Sequence, residues 1–119
     1  MSVKIRKWDI VLVAYPFSDL SATKVRPVLV ISPDSENGKQ GDAVFMAITS
    51  NTSRLLPYDL LIDSNHPEFP GTGLVQASAL RTNKIWTLAD KLVHRKIGSL
   101  GPQLQRDVLA RLAAFFEIS

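Results

Sequence analysis

Short apolar runs alternate along the chain with polar breaks that carry proline or glycine, and only the last stretch changes period. Residues Trp8–Tyr15 hold a continuous Ile-Val-Leu-Val centre in an imperfect alternation, which predicts a strand buried on both faces. Pro16-Phe17-Ser18-Asp19 ends it, and a polar loop runs to about Lys24. Pro27–Ser32 reads as a second strand stopped by Pro33-Asp34, Ala43–Thr49 as a third and Tyr58–Ile62 as a short fourth. Asp63–Gly73 holds two prolines and two glycines and reads as a surface excursion. Leu74–Leu80 alternates, and Lys84–Leu88 adds a further short strand. From Pro102 the period becomes helical. Leu104, Val108, Leu112, Phe115 and Phe116 share one face, opposite Arg106, Asp107, Arg111 and Glu117. Pro102 suits a first helical turn, where its missing N–H costs nothing. Phe115 and Phe116 are expected in the core, and Trp8 and Trp86 in the core or a dimer interface.

This pattern predicts one mainly β (α+β) domain over residues 1–119: a small, twisted, partly open β-barrel with a C-terminal amphipathic helix. Strict strand–helix alternation is absent, which excludes a parallel nucleotide-binding sheet.

Composition narrows the partners. With 119 residues, 45% of them hydrophobic, the chain can bury one real core. No run reaches the length of a membrane span, and Ile10–Tyr15 is too short for a signal-peptide core, so a cytoplasmic protein with no membrane partner is expected. The absence of cysteine excludes disulfides and thiolate metal sites. His66 and His94 have no ligand spacing and read as solvated surface histidines; no metal and no cofactor is expected. The formal net charge is only +3, but Arg81, Lys84, Lys91, Arg95, Lys96, Arg106 and Arg111 face only Asp90 and Asp107 in their stretch. Such clustering points only weakly to a polyanionic partner, and on composition alone a solvated charged face is the better account.

The remaining chemistry lies in arginine and hydroxyl groups. Pro27 biases Arg26 toward extended geometry at a strand start, where a stiffly held guanidinium matches paired phosphate oxygens. Thr49 and Ser50 close another strand and could complete a small anion site. RNA brings its own nucleophile, the 2′-OH, so donors aimed at charge growing on phosphorus could cleave it without metal. The residues alone leave Arg26 open between this role and an ion pair with Asp9 or Asp19. Thr49 remains open between donor and ordinary strand end. Tyr15 and Phe17 could stack unpaired bases or pack at the rim. No histidine is placed to move protons, so the general base is unassigned.

Five blocks in this order resemble the MazF/PemK toxin family: WDIVLV at 8–13, VRPVLVIS at 25–32, AITS at 47–50, GLVQAS at 73–78, and KIWTL with KIGSL across 84–100. The resemblance implies a twisted SH3-like barrel, shared with the gyrase inhibitor CcdB, and a homodimer. It implies a metal-independent endoribonuclease that cuts single-stranded RNA at short sequences, leaving 2′,3′-cyclic phosphate and 5′-OH ends. It implies a cognate antitoxin whose disordered tail covers the RNA groove, with operator DNA bound only through the antitoxin complex. The family's catalytic arginine falls on Arg26 and its threonine on Thr49. Tyr15, Phe17, Asp19, Lys24, Ser50 and Ser78 complete the expected substrate-contacting set. Three positions depart from the family. Trp8 stands where many members have glycine, and Ala47 where proline is common. The loop Leu20–Lys24 lacks the family's glycine and acidic or amide residue, leaving Asp19 to substitute as proton acceptor. Two alternatives follow: a CcdB-like inhibitor of a protein target such as DNA gyrase, and a member that no longer cuts.

Overall fold

The computed structural model describes residues 3–15 and 24–118. Its elements in chain order are β1 (Asp9–Tyr15), β2 (Lys24–Val30), β3 (Asp42–Thr49), β4 (Asp59–Ile62), β5 (Ser78–Ala89), β6 (Val93–Ser99) and α1 (Pro102–Phe116). The six strands form one antiparallel sheet, ordered β4-β5-β3-β2-β1-β6, whose ends do not meet. The mainly β, partly open architecture expected from the pattern is therefore the one observed.

The apolar centre of β1 predicts burial on both faces, and the sheet supplies it. Ile10, Leu29, Met46, Ile48, Leu60, Ile62 and Leu80 form one cluster with Leu100, Leu104 and Val108, so α1 closes that face. Val11, Val13, Val28, Val30, Ala43 and Phe45 form the other, closed by Ile5 and flanked by Val3, Trp86 and Leu88. Alternation along each strand sends neighbouring residues to opposite clusters.

Several local expectations change. Trp8 does not begin β1. It sits at φ 77, the left-handed region that suits the glycine common in the family and strains a bulky side chain. Its backbone is held there from both sides, its N–H donating to the Val30 carbonyl and its carbonyl accepting from Leu100 N–H, each 2.8 Å. The ring packs on the helix-side cluster. The second strand begins at Lys24 and ends at Val30, ahead of Ser32. Leu74–Ala77 lies outside any strand, whereas Ser78–Ala89 is one continuous strand in place of two.

Strand β6 had no sequence signal, because the first polar run of VHRKIGS is exposed at a sheet edge. Cationic edge strands resist pairing with other chains, which explains a strand without apolar alternation. At the helix, Leu104 and Val108 are buried, but Phe115 and Phe116 are 36% and 53% exposed, against the expected core placement. Phe115 stands edge-to-face with Tyr58, ring centres 5.1 Å apart, and Phe116 lies against Phe115 at 5.0 Å.

The excursion 63–77 is pinned rather than loose. A Cβ at Gly73, φ 73, would lie 1.9 Å from the Ile97 carbonyl oxygen, so only glycine allows this approach to β6. The Glu68 carboxylate caps α1, accepting the Gln103 and Leu104 N–H groups at 3.0 and 2.8 Å. Burial pulls its pKa upward, but those two N–H groups, with His66 and Arg106 nearby, hold it below its ordinary 4.5. His66 is half-buried, its Nδ1 accepting the Glu68 N–H at 3.0 Å, so it is not simply solvated; His94 is exposed.

Candidate functional site

The β2–β3 ladder runs from Val30↔Phe45 to Val28↔Ala47 and stops. Proline at 27 has no N–H to extend it. Beyond that point the start of β2 and the end of β3 stand beside each other on the Val11–Val13 face, where Arg26 pairs across to Val13 of β1. There the apolar cluster opens into a hollow of about 340 Å³ lined by Tyr15, Arg26, Thr49, Arg81, Lys84 and Trp86, with Pro27, Val28, Ala47 and Ile48 at its floor. Arg26 and Thr49, assigned from opposite strands, thus reach one site.

Arg26 is exposed and pairs with no described carboxylate. Asp9 is taken by Lys96, 3.1 Å away, and by the Arg6 N–H at 2.9 Å. The Arg26 guanidinium instead lies over the Tyr15 ring, 4.8 Å from its centre, which fixes the side chain while leaving donors available. The Thr49 hydroxyl accepts the Asn51 N–H at 3.2 Å. Its own O–H is not taken by any described residue and can donate into the hollow. Three cations and an aromatic wall with no carboxylate or imidazole, among the described residues, suit a phosphodiester with an unpaired base.

A smaller hollow of about 160 Å³ adjoins through Arg26 and Pro27, lined by Ser50, Gln76 and Ser78. Ser50 is exposed there. Ser78 is buried and its hydroxyl donates to the Gln76 carbonyl at 3.0 Å, so it shapes the turn before β5. Lys24 lies opposite Tyr15 at the outer end of the β1–β2 pair and does not line either hollow. Phe17 and Asp19 lie outside the described residues.

Arg81, Lys84 and Trp86 were not legible as site residues. Between Met46↔Ile85 and Ala47↔Arg81, β3 advances one residue while β5 carries the extra residues Thr82–Lys84. A bulge re-aims side chains and breaks period-two alternation. That break is what made one strand read as two. The Thr82 hydroxyl, fully buried, donates to the Tyr58 carbonyl at 2.7 Å and anchors the bulge. A hollow of about 370 Å³ elsewhere is lined by Lys4, Arg6, Asp34 and Asp90; with both signs of charge on its walls it favours neither anion nor cation.

Comparison with known proteins follows this geometry. A family profile described as the PemK-like, MazF-like toxin of type II toxin–antitoxin systems matches residues 6–116. Among solved structures, an endoribonuclease in complex with its cognate antitoxin from a mycobacterial species aligns with a TM-score of 0.75 at 16% identity, covering 98% of both chains. The Mycobacterium tuberculosis toxin MazF-mt6 aligns at 0.73 and 20% identity, covering 93% of this chain and 98% of that one. MazF in a MazE–MazF structure from Deinococcus radiodurans aligns at 0.76 and 15% identity, covering 98% and 99%. Likenesses at such identities establish the fold alone. Comparison with curated proteins by sequence gave no match.

Proposed function

Because the chain belongs to the PemK-like, MazF-like toxin family of type II toxin–antitoxin systems, we propose that it is a metal-independent endoribonuclease cutting single-stranded RNA at a short sequence. One observation carries this reading: Arg26 and Thr49 line one hollow together with two further cations and Trp86. The scissile phosphate sits between the Arg26 guanidinium and the Thr49 O–H. The RNA 2′-oxygen attacks phosphorus, the P–O5′ bond breaks, and the products are a 2′,3′-cyclic phosphate and a 5′-OH. Arg26 and Thr49 are donors set in advance for the charge that grows on the non-bridging oxygens. The 2′-OH proton passes to a base and one returns to the leaving 5′-oxygen. No described lining residue is suited to that task, and Asp19 is the one carboxylate in the sequence of residues 16–23, which lie outside the described structure.

The protein works as a homodimer on this reading. A cognate antitoxin, with an acidic tail disordered when free, covers the RNA groove; operator DNA is met only through that complex. The antitoxin-bound relatives support the partner. No helix among the described residues is long and apolar enough to cross a membrane; a cytoplasmic site of action fits the RNA substrate.

The test is incubation of the purified protein with a long unstructured RNA in EDTA, followed by mapping of the ends. Cleavage should persist and leave cyclic phosphates. Arg26→Ala should lower the rate by about 10²–10³ at unchanged melting temperature. Activity lost on chelation and restored by a divalent ion overturns the mechanism. Intact RNA with a folded protein that captures a protein target such as DNA gyrase overturns the nuclease itself.

A further inference from the structure

Behind the hollow lies a carboxylate with no role in the chemistry above. Asp59 begins β4, and its side chain is 1% exposed. Oδ2 accepts the Leu56 N–H at 2.8 Å, while Oδ1 is buried with no hydrogen-bond partner among the described residues. Its one described ionic neighbour is Arg81, whose Nη1 stands 3.5 Å from Oδ2 and whose side chain is 20% exposed. The two are direct cross-strand partners in the β4–β5 register. A buried, half-satisfied carboxylate is costly, and apolar replacement of such pairs is often neutral or stabilising. The Leu56 bond serves the turn into β4, but stability alone does not call for the ion pair with Arg81.

The geometry of Arg81 does. It is tied to Asp59 behind and opens forward onto the hollow that holds Arg26 and Thr49. A guanidinium has five N–H donors, and Asp59 engages it through Nη1, leaving others for a ligand. Lys84 lines the same wall as an exposed point charge, easily screened, whereas the mostly covered Arg81 acts at short range in fixed orientation. We propose that Arg81 is a second phosphate-binding residue, holding a phosphate that flanks the one cleaved, and that Asp59 is the positioning residue that aims it. This rests on the RNA-cutting reading for the identity of the ligand.

The test reads binding apart from cleavage. A labelled, mixed-sequence 2′-O-methyl RNA lacks the attacking hydroxyl and is titrated with protein across a range of salt. Arg81→Ala should weaken binding about tenfold or more. It should also make the slope of log K against log salt shallower by about 0.7, the share of one single-strand phosphate contact. Arg81→Lys should keep the wild-type slope and recover part of the affinity. Asp59→Asn gives the sharper discrimination. Removing a negative charge beside the hollow should, on net charge alone, tighten binding to a polyanion; loss of positioning should weaken it severalfold with the slope unchanged.

Wild-type affinity and slope in Arg81→Ala overturn the assignment of Arg81, and tighter binding by a folded Asp59→Asn overturns the positioning role. Should Asp59→Asn fail to fold, the two Arg81 variants decide: a lysine variant no better than alanine counts against an oriented contact. A wild type that binds this RNA but never cuts unmodified RNA sinks the nuclease reading alone. One that cuts RNA while Arg81→Ala binds unchanged sinks this inference alone.

Discussion

The two faces of the sheet are built from the same strands and end differently. On the helix side, Leu, Ile and Met side chains fill the space to α1, and polar groups there serve the fold, as Glu68 does at the helix N-terminus. On the opposite side a smaller, valine-rich cluster is closed at one end by Ile5 and opens at the other onto Arg26, Thr49, Arg81 and Lys84. The first face is a finished core. The second is a half-core whose apolar side chains lie beside those charges, and low-dielectric surroundings strengthen the field such charges exert. The filled core and the charged hollow are thus separated by strand alternation rather than by domain.

The strongest challenge to that contrast pairs one deletion on each face. Leu80→Ala on the helix side should cost about 2–5 kcal/mol and Phe45→Ala on the site side about 3–5 kcal/mol, both read by denaturant melts. Only Phe45→Ala should also slow RNA cleavage per folded molecule, because Phe45 is the cross-strand partner of Trp86. Equal loss of activity in both variants erases the division of labour. Thr49→Val keeps shape and removes the O–H, so cleavage should fall by about a hundredfold while the melting temperature holds; a normal rate in single-turnover assays removes Thr49 from the site.

Glu68→Gln probes the helix face. The folded carboxyl titrates below 4.5, so the unfolded chain binds more protons in the interval between the two pKa values. The stabilisation is whole above 4.5 and disappears as pH falls through the lowered value. Wild type should melt above the variant at neutral pH, with the gap closing on acidification and RNA cleavage at neutral pH unaltered. A gap that widens in acid has the wrong sign. Smallest of all, Phe116→Ser should change stability by about 0.5 kcal/mol or less, as expected of an exposed position off the core.

What the sequence disclosed follows the strength of the apolar signal. Strands β1, β3 and β4 and the start of α1 are legible because each buries a dense run, and Arg26 and Thr49, which line one hollow, stand out as candidates because each abuts one. Strand β6 is silent, since its edge position asks for cations rather than alternation. The two terminal phenylalanines follow helical periodicity, but periodicity carries no information about how much of each turn its neighbours cover. Arg81 reads as a break between strands because the bulge that follows it interrupts the pattern, whereas its own place beside the hollow comes from regular pairing with Ala47 and Asp59. Asp59 gave no signal, because a lone aspartate before Leu-Leu-Ile reads as a strand start.

That bulge also sets where this scaffold can change. Deleting a residue from an ordinary stretch of a strand throws every following side chain to the other face. Thr82–Lys84 are extra to the ladder, and the pairs from Ile85↔Met46 to Ala89↔Asp42 are fixed independently of their number. Lengthening or trimming this stretch alters which side chains reach the hollow without shifting the register on either side. A change of length there is therefore a local edit to the wall of the hollow, while the folding instructions around it stay intact.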